Sequence, residues 1–188
     1  MLEERRQKLR ELLRDPDDGV RRAAAAALEK LEAAMDLEQV LAALKNGKRG
    51  EQVRAIYALE RIDSPQIFAP LLAAVKSSDP DIRSAAVQVL GQKKDPRALG
   101  SLVPLLKDPA PAVRVHVAEA LGRFADRRLV PYLAAALRAQ DAELVIGAVR
   151  SLAAIGAREA WEKLAPLLGD PRPAVRRAVA EAAAELEL

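Results

Sequence analysis

Residues 95–125, DPRALGSLVPLLKDPAPAVRVHVAEALGRFA, decide the fold of this chain, because the rest of the sequence repeats them with substitutions. The stretch is typical of two helices joined by a turn. The position that opens its second helix, apolar in all but one copy, recurs every 31 residues at Val20, Glu51, Ile82, Val113, Leu144 and Val175. The position of the last large residue in that helix recurs at Leu31, Ile62, Lys93, Phe124, Ile155 and Leu186. A repeat of this length predicts a solenoid.

Counting outward from the central stretch divides the chain into repeats 2–32, 33–63, 64–94, 95–125, 126–156 and 157–187 with no linker between them. In each first helix, apolar residues recur at helical spacing, as at Leu102, Leu105 and Leu106. Proline and aspartate recur in the turns between the helices. We therefore predict an all-α fold, a right-handed α-solenoid (α-α superhelix) of six helix–turn–helix repeats of 31 residues that forms one domain over residues 1–188.

The composition excludes several classes of site. Hydrophobic residues make up 51% of the chain but aromatic residues only 3%, which suits closely packed short helices. The net charge of +3 is too small to demand nucleic acid or an anionic membrane as partner. Without cysteine there is no disulfide, no thiolate nucleophile and no cysteine metal site. No long apolar run occurs, so we expect a soluble, cytoplasmic protein without a membrane segment.

The turn between the two helices of a repeat carries a paired signal. Aspartate at the turn accompanies arginine six residues later in three repeats, as Asp15 with Arg21, Asp108 with Arg114 and Asp170 with Arg176. Elsewhere Asn46 accompanies Gln52, and Ala139 accompanies Val145. This covariation predicts turn-to-helix ion pairs that set the angle between the helices. We interpret these acids as structural rather than catalytic, each pair contributing about 0–1 kcal/mol if exposed.

The second helices should also present an inner, concave surface. At about 100° per residue, positions 2, 3, 6 and 10 after the opening residue point away from the buried side. The predicted partner-binding residues on this face are Val53, Arg54, Tyr57, Arg61, Gln88, Gln92, Val115, His116, Glu119, Arg123, Ile146 and Arg150. Arginine, tyrosine and aliphatic side chains together are typical of protein-binding hot spots. The alternative is that the aliphatic residues lean on a neighbouring repeat and the arginines only aid solubility.

The repeat resembles the HEAT-repeat superfamily, and more closely its short bacterial branch named after phycobilisome (PBS) lyases. The resemblance is carried by the DPRAL opening at residues 95–99, by Asp108 with Arg114, and by the VR…A…ALG run at residues 113–122. It covers the whole chain and implies an α-solenoid. It does not single out a function, because such repeats serve many roles.

We searched the sequence for catalytic and metal-binding residues and predict none. His116 is the only histidine, which excludes a pair of histidine ligands such as the HExxxH sites of di-iron hydroxylases built from similar repeats. With Glu119 it could form an acid–base pair, although a partner contact is the favoured role. The glycine- and lysine-rich turn at residues 46–50 could hold an anion before a helix, but a longer, mobile turn is the favoured interpretation.

A few residues depart from the repeat. Glu51 and Lys93 place charges at expected core positions, and the Ala139 and Val145 pair lacks the ion pair, so we expect looser joints there. By its column in the repeat, Trp161 should pack between repeats.

The function that we predict is a non-enzymatic scaffold that binds a protein or peptide, an acidic segment being one candidate, on the concave face. No cofactor or metal is expected. One alternative is binding of a nucleic-acid backbone by the same arginines, as in HEAT-like DNA glycosylases. The resemblance to PBS lyases implies another, a phycobilin-lyase-like protein that handles tetrapyrroles.

Overall fold

The computed structural model describes residues 2–186, apart from the side chains of residues 2, 33 and 34. Within this range the chain forms eleven α-helices and short 3-10 turns, and no strand. It divides into two compact units, Met1–Ile62 and Asp63–Leu188.

The first unit contains three helices, α1 (Leu2–Leu12), α2 (Asp18–Asn46) and α3 (Arg49–Leu59). Both α1 and α3 pack against α2. The Asp17 side chain caps α2 by accepting a hydrogen bond from the Val20 N–H at 2.9 Å. The connection from α2 to α3 is only Gly47 and Lys48, so the turn at residues 46–50 is not longer, contrary to the expected length.

Helix α2 runs without interruption through the predicted boundary between residues 32 and 33. In later repeats the chain leaves the second helix through a residue with positive φ at Lys94 (53°), Ala125 (51°) and Gly156 (68°). Asp95 and Asp126 then cap the next turn. The first repeat has Glu32-Ala33-Ala34 at these positions, with neither glycine, cap nor proline. Strong helix formers without a stop signal continue the helix, so two predicted helices are fused into one.

The second unit consists of four helix pairs. Its second helices are α5 (Pro80–Lys93), α7 (Pro111–Arg123), α9 (Ala142–Ala154) and α11 (Pro173–Leu186). The α-helical parts of its first helices are α4 (Phe68–Ala74), α6 (Leu99–Leu102), α8 (Val130–Ala136) and α10 (Trp161–Leu164). The 3-10 turns that flank them are Pro65–Ile67, Pro96–Ala98, Val103–Lys107, Arg127–Leu129, Arg158–Ala160 and Ala165–Gly169.

In the second unit each second helix packs on the second helix of the next pair, in the order α5, α7, α9, α11. The core of this unit contains Val113, Val117 and Leu121, which are fully buried. The helices also approach one another closely. A Cβ atom built on Gly91 would lie 2.7 Å from the Ala120 Cβ, and one built on Gly122 would lie 2.5 Å from the Ser151 Oγ. Glycine at these positions permits the close packing of neighbouring helices.

Among residues 2–186, no helix is both long enough and apolar enough to cross a lipid bilayer.

Candidate partner-binding surface

In the second unit, the face predicted to bind a partner is narrower than the sequence indicates. Most residues at positions 2 and 3 of the second helices are buried, namely Ser84, Ala85, Ile146, Gly147 and Ala178. Ile146, predicted to contact a partner, is only 7% exposed, so that assignment is wrong, and Val115 is half-buried. The physical reason is the close helix spacing, since a Cβ on Gly147 would lie 3.4 Å from the Ala118 Cβ. These positions form the joint between neighbouring helices.

Positions 6 and 10 remain available in the second unit. Gln92, Glu119, Arg123 and Arg150 are exposed. We call the surface formed by these four residues with Gln88 and His116 the second-helix face. Gln88 and His116 are half-buried, and the Gln88 Nε2 lies 3.3 Å from the His116 Nδ1. The imidazole of His116 thus lies within hydrogen-bonding distance of a side-chain amide of the neighbouring helix.

The first unit presents its own predicted residues on α3. Arg54, Tyr57 and Arg61 are exposed, and Val53 is half-buried. Tyr57 leaves 41% of its surface exposed, which is high for an aromatic side chain. Glu51, the charged residue at an apolar position, caps α3 by accepting a hydrogen bond from the Lys48 N–H at 2.7 Å. Its carboxylate therefore has a structural role at the surface.

The arginines of these faces differ from most arginines at the turns in their hydrogen bonding. Within the part of the chain that the structure describes, Arg123 and Arg150 form no ion pair or side-chain hydrogen bond. The same holds for Arg54 and Arg61 on α3. Most arginines at the turns, by contrast, are held by carbonyl or carboxylate oxygens. The guanidinium groups of the second-helix face and of α3 are consequently available to a partner.

The predicted turn-to-helix ion pairs are replaced by a different contact. Arg21, Arg114 and Arg176 do reach the expected aspartates, but each Nη1 donates to the main-chain carbonyl oxygen, at 2.8, 2.9 and 2.7 Å. The aspartate carboxylates instead accept backbone N–H groups two residues later, at 2.9 Å from Asp17, Ala110 and Arg172. The arginines thus hold the turn by hydrogen bonds to its main chain. The prediction that they pair with the aspartate carboxylates of their own turn is wrong.

Carboxylates and arginines of the second unit also pair between neighbouring repeats. Arg83 donates from Nε and Nη2 to the two oxygens of Asp108, both at 2.8 Å, and the Asp108 side chain is only 3% exposed. Burial raises the pKa of Asp108, but hydrogen bonds from Arg83 and the Ala110 N–H outweigh it and hold the pKa below its usual range. Such a buried two-point contact fixes how the two repeats meet.

The joint expected to be loose at Ala139 and Val145 is bridged by shifted residues. Arg114 pairs with Asp141, two residues after the missing aspartate, at 3.0 Å. Arg172 of the following turn donates to the carbonyl oxygens of Ala139 and Gln140 at 3.4 and 2.9 Å. These contacts span 27 to 33 residues of sequence, so a comparison within each repeat could not find them.

Two further findings concern groups that the sequence singled out. Trp161 is 37% exposed beside Arg158, Ala183 and Leu186, so its expected burial between repeats is wrong. Across the described residues, no three His, Cys, Asp or Glu side chains cluster in a way that could hold a metal ion.

Stacked helix pairs with exposed side chains along their second helices define an α-solenoid repeat protein. The family model for HEAT repeats matches residues 37–111 and 101–185, so the chain belongs to the HEAT-repeat family. The predicted family and fold class are thereby confirmed. No curated protein sequence matches the chain.

Solved structures with the same fold include the CpcE and CpcF complex of phycocyanin lyase from Nostoc sp. PCC7120, at 23% identity and a TM-score of 0.71. That match covers 80% of this chain, which spans 64% of the length of the matched chain. A designed armadillo repeat protein in complex with the peptide (KR)4 matches at 18% identity and a TM-score of 0.63, over 95% of this chain and 98% of that one. Kap95p, in a structure with RanGDP, matches at 17% identity and a TM-score of 0.62, over 99% of this chain and 28% of that one.

Proposed function

We propose that this protein is a non-enzymatic scaffold whose second-helix face holds a protein or peptide segment that carries acidic side chains. The observation that carries the proposal is the state of the arginines. Arg123 and Arg150 extend from α7 and α9 without an ion pair in residues 2–186, whereas Arg83, Arg114 and Arg172 are each paired with an aspartate carboxylate. A guanidinium group offers a planar pair of N–H donors that matches a carboxylate.

The other residues of the face suit a peptide ligand. Gln92 adds amide donors and acceptors, and Glu119 lies four residues before Arg123 on α7, so the face carries both signs of charge. Such a mixture favours an extended segment of defined charge order over a uniformly charged surface. In the first unit, Tyr57 and Arg61 offer an aromatic ring and a cation of the kind enriched in hot spots.

The solved structures support the class of function by analogy of fold. The designed armadillo repeat protein is in complex with a peptide, and Kap95p binds RanGDP. At 17% and 18% identity this likeness supports a binding role for the solenoid fold but does not identify a partner.

The proposal can be tested with labelled peptides. We expect a short peptide of alternating Asp and Glu to bind more tightly than one of alternating Lys and Arg, as measured by fluorescence anisotropy. The double variant Arg123→Ala and Arg150→Ala should weaken acidic-peptide binding by about tenfold or more, because each hot-spot arginine is worth over about 1 kcal/mol.

A matched control separates a site from general attraction between charges. Arg138 and Arg158 are also exposed, but they lie outside the second helices. The variant Arg138→Ala with Arg158→Ala removes the same charge and should leave affinity nearly unchanged. Equal losses from both double variants, or no preference for acidic peptides, would refute the proposed face.

The match to phycocyanin lyase supports a second candidate, a protein that handles a tetrapyrrole. Incubation with a free phycobilin distinguishes the two functions. A bound pigment with a shifted absorption band would favour the lyase-like role, and an unchanged spectrum would favour the scaffold. A steep loss of oligonucleotide binding with salt would instead indicate contact with a nucleic-acid backbone.

A further inference from the structure

In the second unit, a fixed set of positions joins one second helix to the next. The fifth position after the opening residue is fully buried in Val87, Ala118 and Val149. In the pair α7 and α9, Ala118 at the fifth position faces Gly147 at the third position, with 3.4 Å between the Ala118 Cβ and a Cβ built on the glycine. Gly122 faces Ser151 at the seventh position. The third and seventh positions of a helix are therefore covered by the fifth and ninth of the preceding one.

At the junction of the first and second repeats the corresponding positions are open. Ala25, at the fifth position in the first repeat, is exposed. Arg54 and Ala58, at the third and seventh positions of α3, line an open groove of about 530 Å³ together with Val40 and Ala43 of α2. In the second unit the corresponding space is filled by the second helix of the preceding repeat. In the first unit both this groove and the surface around Ala25 that would fill it are therefore open.

Other residues of the first repeat show the same missing interface. Val20 at the opening position and the large residues Leu12 and Leu13 are exposed, whereas the opening residues Ile82, Val113 and Leu144 are buried. Arg21 sends its Nη2 to Asp18 of its own helix at 3.0 Å. In the second unit, the equivalent nitrogens of Arg83 and Arg114 bind carboxylates of the next turn.

The continuous helix α2 keeps the two faces apart. Val40 lines the groove with Arg54, and it follows Ala25 by 40 − 25 = 15 residues of continuous helix. At 1.5 Å per residue this is about 22 Å along the helix axis. Ala25 cannot therefore reach the groove of its own chain while α2 is uninterrupted.

We propose that a second copy of this chain fills the groove by reciprocal exchange. The α1 helix and the amino-terminal half of α2 of one copy lie against α3 of the other, and the converse contact forms about a twofold axis. A second copy is the occupant because it carries the helix whose register the groove matches. In that register Ala25 faces Arg54 and Glu29 faces Ala58, so each small residue meets a longer one and the two charges are opposite in sign. One twofold contact covers both open faces in both copies, which is the condition for a closed dimer. Arg54 then belongs to the interface between copies, and Tyr57 and Arg61 stay available to a partner.

Disulfide trapping tests the exchange directly, because the chain contains no cysteine. The variant Ala118→Cys with Gly147→Cys is the internal control, since its Cβ spacing suits a disulfide within one chain. The variant Ala25→Cys with Arg54→Cys places cysteines at the same two positions of the first unit. We expect the control to close within single chains and the second variant to link two chains on a non-reducing gel. A link within one chain, or no link where the control closes, would overturn the proposal.

A second variant restores the missing turn. Ala33→Asp with Ala34→Pro copies the Asp95 and Pro96 pair that opens a later repeat, and proline in a helix interior breaks it. The first repeat can then fold back on its own groove. Light scattering should give a dimeric mass for the parent and a monomeric mass for this variant. A monomeric parent at every concentration, or a variant that stays dimeric, would overturn the exchange.

Discussion

Replacing Gly122 by alanine should destabilise the second unit, although the same change in an ordinary helix is favourable. In a helix interior, alanine is better than glycine by about 1 kcal/mol. At Gly122 the new Cβ would lie 2.5 Å from the Ser151 Oγ, 2.7 Å from its Cβ and 2.9 Å from its Cα. Because the last contact involves main chain, α7 and α9 must move apart. The movement also strains the 2.8 Å hydrogen bond from Ser151 Oγ to the Ala118 carbonyl oxygen.

Overpacking of this kind costs about 1–3 kcal/mol, and the gain in helix propensity offsets about 1 kcal/mol of that cost. We therefore expect Gly122→Ala to lower the free energy of unfolding by about 1 kcal/mol and by no more than about 2 kcal/mol, measured by urea denaturation followed by circular dichroism. Gly100 provides the matched control, since a Cβ there meets nothing within 4 Å. Gly100→Ala should be neutral or stabilising by up to about 1 kcal/mol. If Gly122→Ala were as stable as the parent, the close helix approach in the second unit would be wrong.

Three more predictions concern polar contacts at the turns and between repeats. Arg83→Ala leaves the buried Asp108 carboxylate unpaired and should cost about 3–5 kcal/mol in urea unfolding, whereas a loss under about 1 kcal/mol would mean that the pair is solvated. Hydrogen bonds from the Arg172 side chain and N–H lower the pKa of Asp170 to about 2. Since its unfolded pKa is about 4, the stabilisation is complete above about pH 4 and lost as the pH falls toward 2. Carboxyl NMR should show this titration, and Arg172→Ala should raise the pKa; an unmoved pKa would contradict the contact. Asp141→Ala removes the cap of α9 and the partner of Arg114, so a loss of about 1–2 kcal/mol is expected in thermal unfolding, and an unchanged midpoint would exclude it.

Much of the candidate surface could be predicted from periodicity, but its width could not. Helical spacing correctly placed Arg123 and Arg150 on the exposed side of α7 and α9. It also placed Ile146 there, because a helical wheel describes one helix and contains no neighbour. The distance between helices, set by Gly122 against Ser151, decides how far the joint extends around each helix.

The 31-residue repeat by itself determined the helical-repeat fold and the family, because local propensity and the positions of apolar residues act within each repeat. Tertiary structure decided which oxygen each arginine binds and whether a missing ion pair is replaced. Asp141 and Arg172 replace it across repeats, through contacts that depend on distance in space rather than on register in sequence. The sequence already contains the reason why α2 continues past residue 32, because no helix stop signal follows that residue. The open groove that results becomes visible only when the helices are placed beside one another, since burial is a property of neighbours.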